Sequence, residues 1–374
     1  MPHKEHHQTA ADLIYLISCA VNGIQPAQER VAAMDDEAVF RFACRQDLSA
    51  IAAYALKKLM PLPLHWKEAR GKAMRLCALY DTRRAMVLHE MEQQGIPYLP
   101  LKGIILKDYY PEPFTREMAD NDILCDDTRM EDVRTIMTKL GFTCKLFGKY
   151  NHDKYTSPPL SFEMHTQLFV DYDVPQIAAY YQGIWEKLIR DEEHRYGYHM
   201  RDEDFYLYIL CHTYKHFIKA GTGLRSLLDI YLYDRAKGQT LDRRYLDEQL
   251  AILGIGDFER DFRALAAKTF SGESLSDDVL DELSYYIESG SFGSGRNKYA
   301  NRLRHDDGRR AKRRYFFRRF FPDEAYLKSF YPTVYRHRSL YPLLVIYRPF
   351  KGLVTKRKKL YREFQFVKNY KKKD

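Results

Sequence analysis

The chain has 374 residues, 45% of them hydrophobic and 30% charged, with a formal net charge of +9. This composition excludes a largely disordered chain, and the length predicts two or three packed units, because domains usually hold roughly 100–200 residues. No apolar run approaches the roughly 20 residues that a membrane-spanning helix requires, and the first residues lack the apolar core of a signal peptide, so we expect a cytoplasmic protein.

Residues 1–95 are expected to form an N-terminal helical unit. Apolar residues recur at helical spacing through residues 38–59, and two prolines then break the pattern. A long helix is predicted from His65 to Gly95, because glycine accepts the left-handed backbone conformation that often follows a helix end.

Residues 96–172 are expected to form an α+β unit, in which extended segments alternate with short helices. Strands are predicted at residues 97–101, 118–125, 142–147, 150–155 and 160–169, and helices at residues 103–109 and 128–140.

Helical periodicity returns over residues 173–290, which we expect to form a second helical unit. Two of its helices are predicted at residues 204–218 and 224–233, with a joint at residues 221–223. A loop rich in glycine and serine follows at residues 289–295. The overall prediction is an α+β fold in which a small mixed sheet is flanked by helical units on both sides.

Two aspartates on one predicted strand are the first candidates for a functional site. In the segment Asp120-Asn121-Asp122, alternate side chains of a strand point the same way, so both carboxylates face one small volume. Such a pair is costly unless a divalent cation neutralises it, and Mg2+ accepts carboxylate oxygens together with substrate phosphates. The pattern therefore predicts a metal site at Asp120 and Asp122.

A third acid, Glu163, lies in a later predicted strand between Phe162 and Met164. The period of two places Glu163 on the face opposite these apolar neighbours, where it can lie beside the two aspartates on an adjacent strand. His165 shares this face. A third carboxylate is what a two-metal site requires to activate an attacking hydroxyl.

An Asp-x-Asp match is weak evidence by itself, but several motifs around it occur in a fixed order. They are Leu101-Lys102-Gly103, Tyr110-Pro111, Arg116, Asp120-Asn121-Asp122 and Glu163-Met164-His165. In this order the chain resembles the uncharacterised nucleotidyltransferases of the polymerase-beta-like superfamily, most clearly over residues 96–170. Two positions depart from the family pattern: Asn121 replaces a more usual apolar residue, and the motif at Gly103 lacks a Gly-Ser pair.

The resemblance implies a small mixed sheet that carries the acids. It also implies transfer of a nucleoside monophosphate from a nucleoside triphosphate, with ATP the expected donor, to a hydroxyl acceptor. The implied cofactor is Mg2+, with Mn2+ as the alternative ion, bound by Asp120, Asp122 and Glu163. The acceptor stays open between RNA, protein, a glycan and a small molecule.

Four further residues are predicted to bind the nucleotide. Lys102 and Arg116 would neutralise phosphate charge, Arg116 through two parallel hydrogen bonds and Lys102 as a point charge beside the tight turn at Gly103. His165 would orient Glu163 or contact the nucleotide. The alternative for the two cations is a surface ion pair, and for His165 a structural hydrogen bond.

Two other patterns are interpreted as structural. His212 and His216 have the i, i+4 spacing of a metal site, but no third ligand follows nearby in the sequence, so packing roles are favoured. The six cysteines form no C-x-x-C pair, which argues against a zinc site or a disulfide framework. We expect reduced and mostly buried thiols at Cys19, Cys44, Cys77, Cys125, Cys144 and Cys211.

The last part of the chain, residues 291–374, is basic and rich in aromatic residues. From Arg296 onward 25 Lys and Arg stand against 6 Asp and Glu, whereas the preceding 295 residues hold 35 and 45 of the whole-chain 60 and 51. Residues 309–321 interleave cations with aromatic rings, a mixture used against nucleic acid and at membrane surfaces. Contact with nucleic acid, peripheral contact with an anionic membrane and simple packing on the protein all stay open.

Two functions besides catalysis are compatible with this sequence. One is a catalytically silent module that binds nucleotide or nucleic acid, and the other is a scaffold at a membrane surface. An enzyme of the predicted kind binds triphosphate far better with Mg2+ than without, whereas the module binds polyanions with a steep salt dependence and no metal requirement.

Overall fold

The computed structural model describes residues 2–291 except 58, 60 and 173, together with residues 293, 317, 321–322, 324–355, 357, 361 and 365. Within these residues, helices precede and follow a central mixed sheet, so the predicted α+β class is confirmed.

The chain before the sheet is helical, as predicted. Its helices are α1 (Pro2–Val21), α2 (Gln28–Ala32), α3 (Asp36–Arg45), α4 (Ser49–Leu56) and α5 (Leu64–Gln93). The predicted long helix is α5, which has 30 residues. Gly95 behind it has a φ of +66°, a conformation that glycine adopts without strain.

The central sheet has five strands in the order β1-β2-β5-β4-β3. They are β1 (Tyr98–Pro100), β2 (Asn121–Cys125), β3 (Thr143–Leu146), β4 (His152–Ser157) and β5 (Leu160–His165). β2 and β5 run parallel, and the other neighbours are antiparallel. The strand predicted at residues 118–125 begins only at Asn121, so Asp120 lies in the loop directly before it.

Short helices connect these strands. They are α6 (Gly103–Leu106), α7 (Met130–Lys139) and single 3₁₀ turns at Lys107–Tyr109, Pro113–Thr115 and Asp127–Arg129.

Six further helices follow the sheet within residues 175–289. They are α8 (Pro175–Tyr180), α9 (Asp202–Lys219), α10 (Leu224–Lys237), α11 (Arg243–Leu253), α12 (Gly256–Phe270) and α13 (Asp277–Ser289), with a 3₁₀ turn at Ile184–Lys187. The joint predicted at residues 221–223 is confirmed between α9 and α10. The prediction of a purely helical region is wrong at one antiparallel pair, β6 (Ile189–Arg190) and β7 (Tyr198–His199). Each of these strands has two residues, which is too short for alternation to be detected.

The two faces of the sheet belong to different hydrophobic cores. Ile123, Phe162 and Met164 are fully buried, in one core with α7 and the C-terminal half of α5. The other face packs into a larger core. Helices that precede the sheet in the chain and helices that follow it contribute to this core, including α1, α4, α9 and α12. Asp122 and Glu163 alternate with the apolar residues and therefore lie on this second face. The division of the chain at residues 95, 172 and 290 stays a prediction.

The C-terminal part contains α14 (Glu324–Phe330), α15 (Pro332–Arg336), a 3₁₀ turn at Arg338–Leu340 and α16 (Tyr341–Thr355). Most of the basic aromatic segment, residues 309–316 and 318–320, lies outside the described residues. Phe330 packs edge-on against Tyr150 at a centroid distance of 5.0 Å, so α14 reaches the start of β4. No helix in the described part of the chain is both long and apolar enough to cross a membrane.

All six cysteines are free thiols, as predicted. Cys19, Cys125 and Cys211 are buried, whereas Cys44 is exposed and the other two are half-buried. The expectation that most thiols are buried therefore holds for only half of them.

Candidate active site

Asp122 and Glu163 lie directly opposite each other on the parallel strands β2 and β5. Neighbouring strands are about 4.8 Å apart, and paired residues point to the same face of a sheet. Both side chains are shielded from solvent, with exposed fractions of 7% for Asp122 and 17% for Glu163. The register of the sheet therefore brings together two carboxylates that are 41 positions apart in the sequence.

Asp120 completes the acidic group from the loop before β2. Its carboxylate forms no hydrogen bond or ion pair with any residue that the structure describes. Burial and the negative charges of Asp122 and Glu163 raise the pKa of Asp120 to about 7, against the opposing effect of Lys102. An unpartnered carboxylate next to two others fits a bound divalent cation, which would neutralise this charge.

Two donors hold Asp122 Oδ1. Lys102 Nζ donates to it at 2.9 Å, and His165 Nε2 lies 2.8 Å from it. Burial opposes ionisation of Asp122, but Lys102 and His165 outweigh this effect and hold the pKa of the carboxyl well below its usual range. Lys102 thus pairs with a buried carboxylate, whereas contact with phosphate or a surface ion pair was predicted from the sequence.

The backbone of Lys102 is strained. Its φ of +46° and ψ of −114° are rarely adopted by residues other than glycine, and such conformations cost on the order of 1–3 kcal/mol. Gly103, which follows, has no room for a side chain, because a Cβ would contact Arg116 Nη1 and lie 3.0 Å from Met118 Sδ. The turn therefore brings Lys102 Nζ to the Asp122 carboxylate. It also brings the backbone at Gly103 into close contact with Arg116.

The two carboxylate oxygens of Glu163 have different neighbours. Oε1 accepts from Lys154 Nζ at 2.9 Å, whereas Oε2 lies 3.7 Å from His152 Nε2 and 3.9 Å from His165 Nε2. Burial opposes ionisation of Glu163, but Lys154 and His152 outweigh it and lower the pKa of the carboxyl. These neighbours therefore favour the ionised form of Glu163.

His152 and Lys154, which reach Glu163 from β4, were not predicted from the sequence. In the β4–β5 hairpin His152 is opposite His165, and Lys154 is opposite Glu163. The sequence did contain a signal for these two residues. A tight turn at residues 158–159 fixes the register of the hairpin, and this register places His152 and Lys154 on the same face as Glu163 and His165.

Arg116 has a different partner from the predicted phosphate. Its Nε and Nη2 donate to the two carboxylate oxygens of Asp229 in α10, each at 2.8 Å, and the Tyr110 hydroxyl donates to Asp229 Oδ1 at 2.7 Å. Arg116 is 9% exposed. Nε and Nη2 of Arg116 therefore bind α10. Only Nη1, which lies beside Gly103, remains as a candidate hydrogen-bond donor to a phosphate group.

Helix α5 fixes the loop that carries Asp120. The Tyr80 hydroxyl donates to the carbonyl of Ala119 at 2.8 Å and accepts from the Ser161 amide at 3.3 Å. Asn121, the polar departure from the family pattern, is fully buried, and its Oδ1 accepts from Arg84 Nη1 at 3.2 Å. The polar residue at this position therefore ties β2 to α5.

A cavity of about 1120 Å³ opens beside the same loop. It lies between the N-terminal half of α5 and residues 114–119, and it reaches Ala119, the neighbour of Asp120. Four cations of α5 line the cavity and form no ion pair with the residues that the structure describes. They are Lys67, Arg70, Lys72 and Arg75. Arg70 Nε is buried and has no hydrogen-bond partner among the described residues. Cations outnumber the acids that also line the cavity, Asp47, Glu68 and Glu117, so the cavity fits a ligand that carries negative charge.

His212 and His216 contact each other on α9. Their Nε2 atoms are 3.1 Å apart, and burial lowers the pKa of both rings, that of His216 to about 3. Neither ring belongs to the group of three potential metal ligands found among the described residues. This geometry agrees with the predicted packing role.

Asp122 and Glu163 lie on neighbouring strands of a mixed sheet, and Asp120 lies in the loop directly before the first of these strands, whereas the sequence predicted both aspartates on one strand. The family described as uncharacterised nucleotidyltransferase matches residues 32–271, which is more than half of the chain, and the chain belongs to this family. The matched range includes every predicted site residue. No curated protein and no solved structure matches the chain.

Proposed function

We propose that this protein is a Mg2+-dependent nucleotidyltransferase that moves a nucleoside monophosphate from a nucleoside triphosphate to a hydroxyl acceptor. ATP is the expected donor. The observation that carries the proposal is the pairing of Asp122 with Glu163 across β2 and β5, with the unpartnered Asp120 directly before β2. Membership of the nucleotidyltransferase family supports the transferase role.

The three carboxylates are assigned different tasks. Asp120 and Asp122 hold the cation that carries the triphosphate, and Glu163 holds the cation at the acceptor hydroxyl. Bound divalent cations supply neutralisation of phosphate charge and a lower proton affinity of that hydroxyl. Asp120 suits this task because its carboxylate forms no hydrogen bond or ion pair with the described residues, and because burial and the charges of Asp122 and Glu163 raise its pKa.

Lys102 is assigned to the phosphates of the donor. Its ammonium group already lies beside Asp122 in a buried position, where it compensates the carboxylate without metal. With a divalent cation held by Asp120 and Asp122, the ammonium group of Lys102 would be available to neutralise phosphate charge.

The cavity along α5 is assigned to the acceptor. It adjoins the loop that carries Asp120, and its four cations without ion pairs favour an acceptor with negative charge over a neutral one. RNA, protein, a glycan and a small molecule all include acceptors of this kind.

Transfer of label from nucleoside triphosphates tests the proposal. The full chain is incubated with Mg2+, labelled triphosphate and a cell extract that supplies acceptors. We expect label to move with the native chain and with Asp127→Asn, a matched change at an exposed aspartate, but not with Asp120→Asn. Absence of transfer with every triphosphate, or equal transfer with Asp120→Asn, contradicts the proposal. Triphosphate binding that does not depend on Mg2+ supports the silent module instead.

A further inference from the structure

One side of helix α16 is both apolar and exposed. Its row of large side chains consists of Leu343, Ile346, Tyr347 and Phe350, with exposed fractions of 65%, 62%, 52% and 68%. Their spacing of three and four residues places them next to one another along the helix. The exposed side of a surface helix is usually polar, and a group of exposed apolar side chains marks an interaction surface. We call this row the α16 face.

A shallow hollow of about 600 Å³ lies along the α16 face. Val334 of α15 and Leu340 of the 3₁₀ turn extend its lining beyond α16. In the described part of the chain, all side chains that line the hollow are aliphatic or aromatic. Such a lining offers no charged or amide group to orient a small polar ligand, so it fits an extended apolar partner.

The other side of α16 is used to attach the helix to the protein. Leu344 lies outside the exposed row and is buried, with an exposed fraction of 5%. The Arg348 guanidinium lies 4.6 Å from the ring centroid of Tyr326 in α14. Phe330 of α14 packs in turn against Tyr172, with ring centroids 5.1 Å apart. These contacts turn the α16 face away from the protein.

The surroundings of the α16 face are basic. Residues 325–362 contain ten Lys and Arg and no Asp or Glu. Arg336, Lys351 and Arg357 are exposed, and Lys351 Nζ lies 5.4 Å from the ring centroid of Tyr347, at the border of the face. Cations beside an apolar row are attracted to the negative surface potential of anionic lipids while the row enters the bilayer.

We propose that the α16 face inserts into the surface of an anionic phospholipid bilayer, with α16 parallel to the membrane plane. The helix has 15 residues, a length of about 22 Å, whereas the hydrocarbon core is roughly 30 Å thick, so α16 fits a helix that lies in the surface. This inference concerns where the protein binds and does not depend on the proposed nucleotide transfer.

Two other partners fit the α16 face less well. Nucleic acid binds through cations and through aromatic rings that stack on bases, but Leu343 and Ile346 have no aromatic ring to stack. A second copy of the chain in a two-fold contact would place each basic surface against itself, because a two-fold interface pairs the same patch of both subunits. A bilayer with anionic lipids complements both the apolar row and its cations.

Flotation of the full chain with lipid vesicles tests the inference. One set of vesicles contains two parts phosphatidylcholine and one part phosphatidylglycerol, and the other contains phosphatidylcholine alone. We expect binding to the anionic vesicles to be at least about 10-fold tighter than binding to the neutral vesicles, and to weaken as salt is added.

A double variant tests the role of the α16 face itself. Ile346→Ser combined with Phe350→Ser is expected to weaken binding to the anionic vesicles at least about 10-fold, because the apolar area that enters the bilayer is lost. Ile24→Ser combined with Ile252→Ser is the matched control, since these isoleucines are also exposed, at 53% and 57%. The control is expected to change binding less than about twofold.

Three results overturn the inference. They are equal affinity for the two kinds of vesicle, an equal loss of binding in the double variant and its control, and absence of vesicle binding. Single-stranded RNA or a second copy of the chain would be the partner if, without vesicle binding, RNA binding or a dimer is lost in the double variant. Thermal unfolding of both double variants shows that each is folded.

A second measurement leaves the apolar row intact. Tyr347→Trp places an indole on the α16 face, whereas Trp66 of the native chain is fully buried and Trp185 packs against the larger core. We expect anionic vesicles to shift the emission of this variant to shorter wavelength and to leave that of the native chain unchanged, because the new indole leaves water. An equal response of the two proteins overturns the inference.

Discussion

Lys102 Nζ lies 2.9 Å from Asp122 Oδ1, and both side chains are shielded, with exposed fractions of 19% and 7%. Removing one partner of such a pair leaves an uncompensated charge in the interior, which costs about 3–5 kcal/mol. Because of this pair, a substitution of Asp122 is expected to lower stability more than the same substitution of Asp120.

Asp122→Asn is expected to lower the free energy of unfolding of the metal-free protein by about 3 kcal/mol, because it leaves Lys102 unpaired. Asp120→Asn is expected to leave it unchanged or to raise it, because this change removes repulsion and breaks no hydrogen bond. Urea unfolding of both variants at pH 7 measures the difference. Equal losses of stability contradict the assignment of Lys102 to Asp122 alone.

As the pH rises from about 4 to about 7, the metal-free native protein is expected to lose stability relative to the Asp120→Asn variant. The pKa of Asp120 is about 7 in the folded chain against an ordinary value of 3.8, so the folded chain binds this proton more tightly. Ionisation over that window therefore favours unfolding. Urea unfolding at a series of pH values compares the two proteins, and parallel curves contradict the raised pKa.

Asp229→Asn is expected to destabilise the protein by about 3–5 kcal/mol, because it leaves the buried guanidinium of Arg116 without a counter-charge and puts an amide donor in place of the oxygen that accepts from Nη2. Asp247→Asn, at an exposed position of α11, is the control and changes stability by less than about 0.5 kcal/mol. Thermal unfolding measures both. Two results together would favour the phosphate-binding role that the sequence predicted for Arg116. They are a small loss of stability in Asp229→Asn and a large loss of triphosphate binding in Arg116→Lys.

Lys102→Gly is expected to be more stable than Lys102→Ala by about 1 kcal/mol, because alanine keeps the backbone strain at a φ of +46° and glycine relieves it. Both variants lose the same ammonium group, so the difference isolates the backbone. Denaturant unfolding of the pair gives this difference directly. Equal stability shows that the backbone turns to a different conformation in the variants.

Replacing both Arg70 and Lys72 with alanine is expected to weaken binding of inorganic tripolyphosphate by at least about 10-fold at low salt, since a hydrogen bond to a charged group contributes about 1.5–3 kcal/mol. Divalent cations are left out, so that metal-dependent binding at the donor site does not contribute. Lys145→Ala, at an exposed position of β3 away from the cavity, is the control. Calorimetric titration at two salt concentrations measures the loss. Identical affinities in the double variant and the control contradict an anionic ligand in the cavity.

Local patterns in the sequence determined most of the elements and the faces of Asp122 and Glu163. Alternation along β2 and β5 predicted that Asp122 and Glu163 turn away from the apolar side, since the direction of a strand side chain depends only on its position. Helical periodicity likewise predicted α5, α9 and α10. These features follow from a few neighbouring residues, so a single sequence is enough to predict them.

Pairing between distant segments was decided only by the tertiary structure. Arg116 binds Asp229, 113 positions later in the chain, and no local pattern distinguishes that carboxylate from a phosphate group as its partner. His152 joins Glu163 only through the register of the β4–β5 hairpin. Electrostatic partners depend on which surfaces pack together, and packing is a property of the whole chain rather than of any one segment.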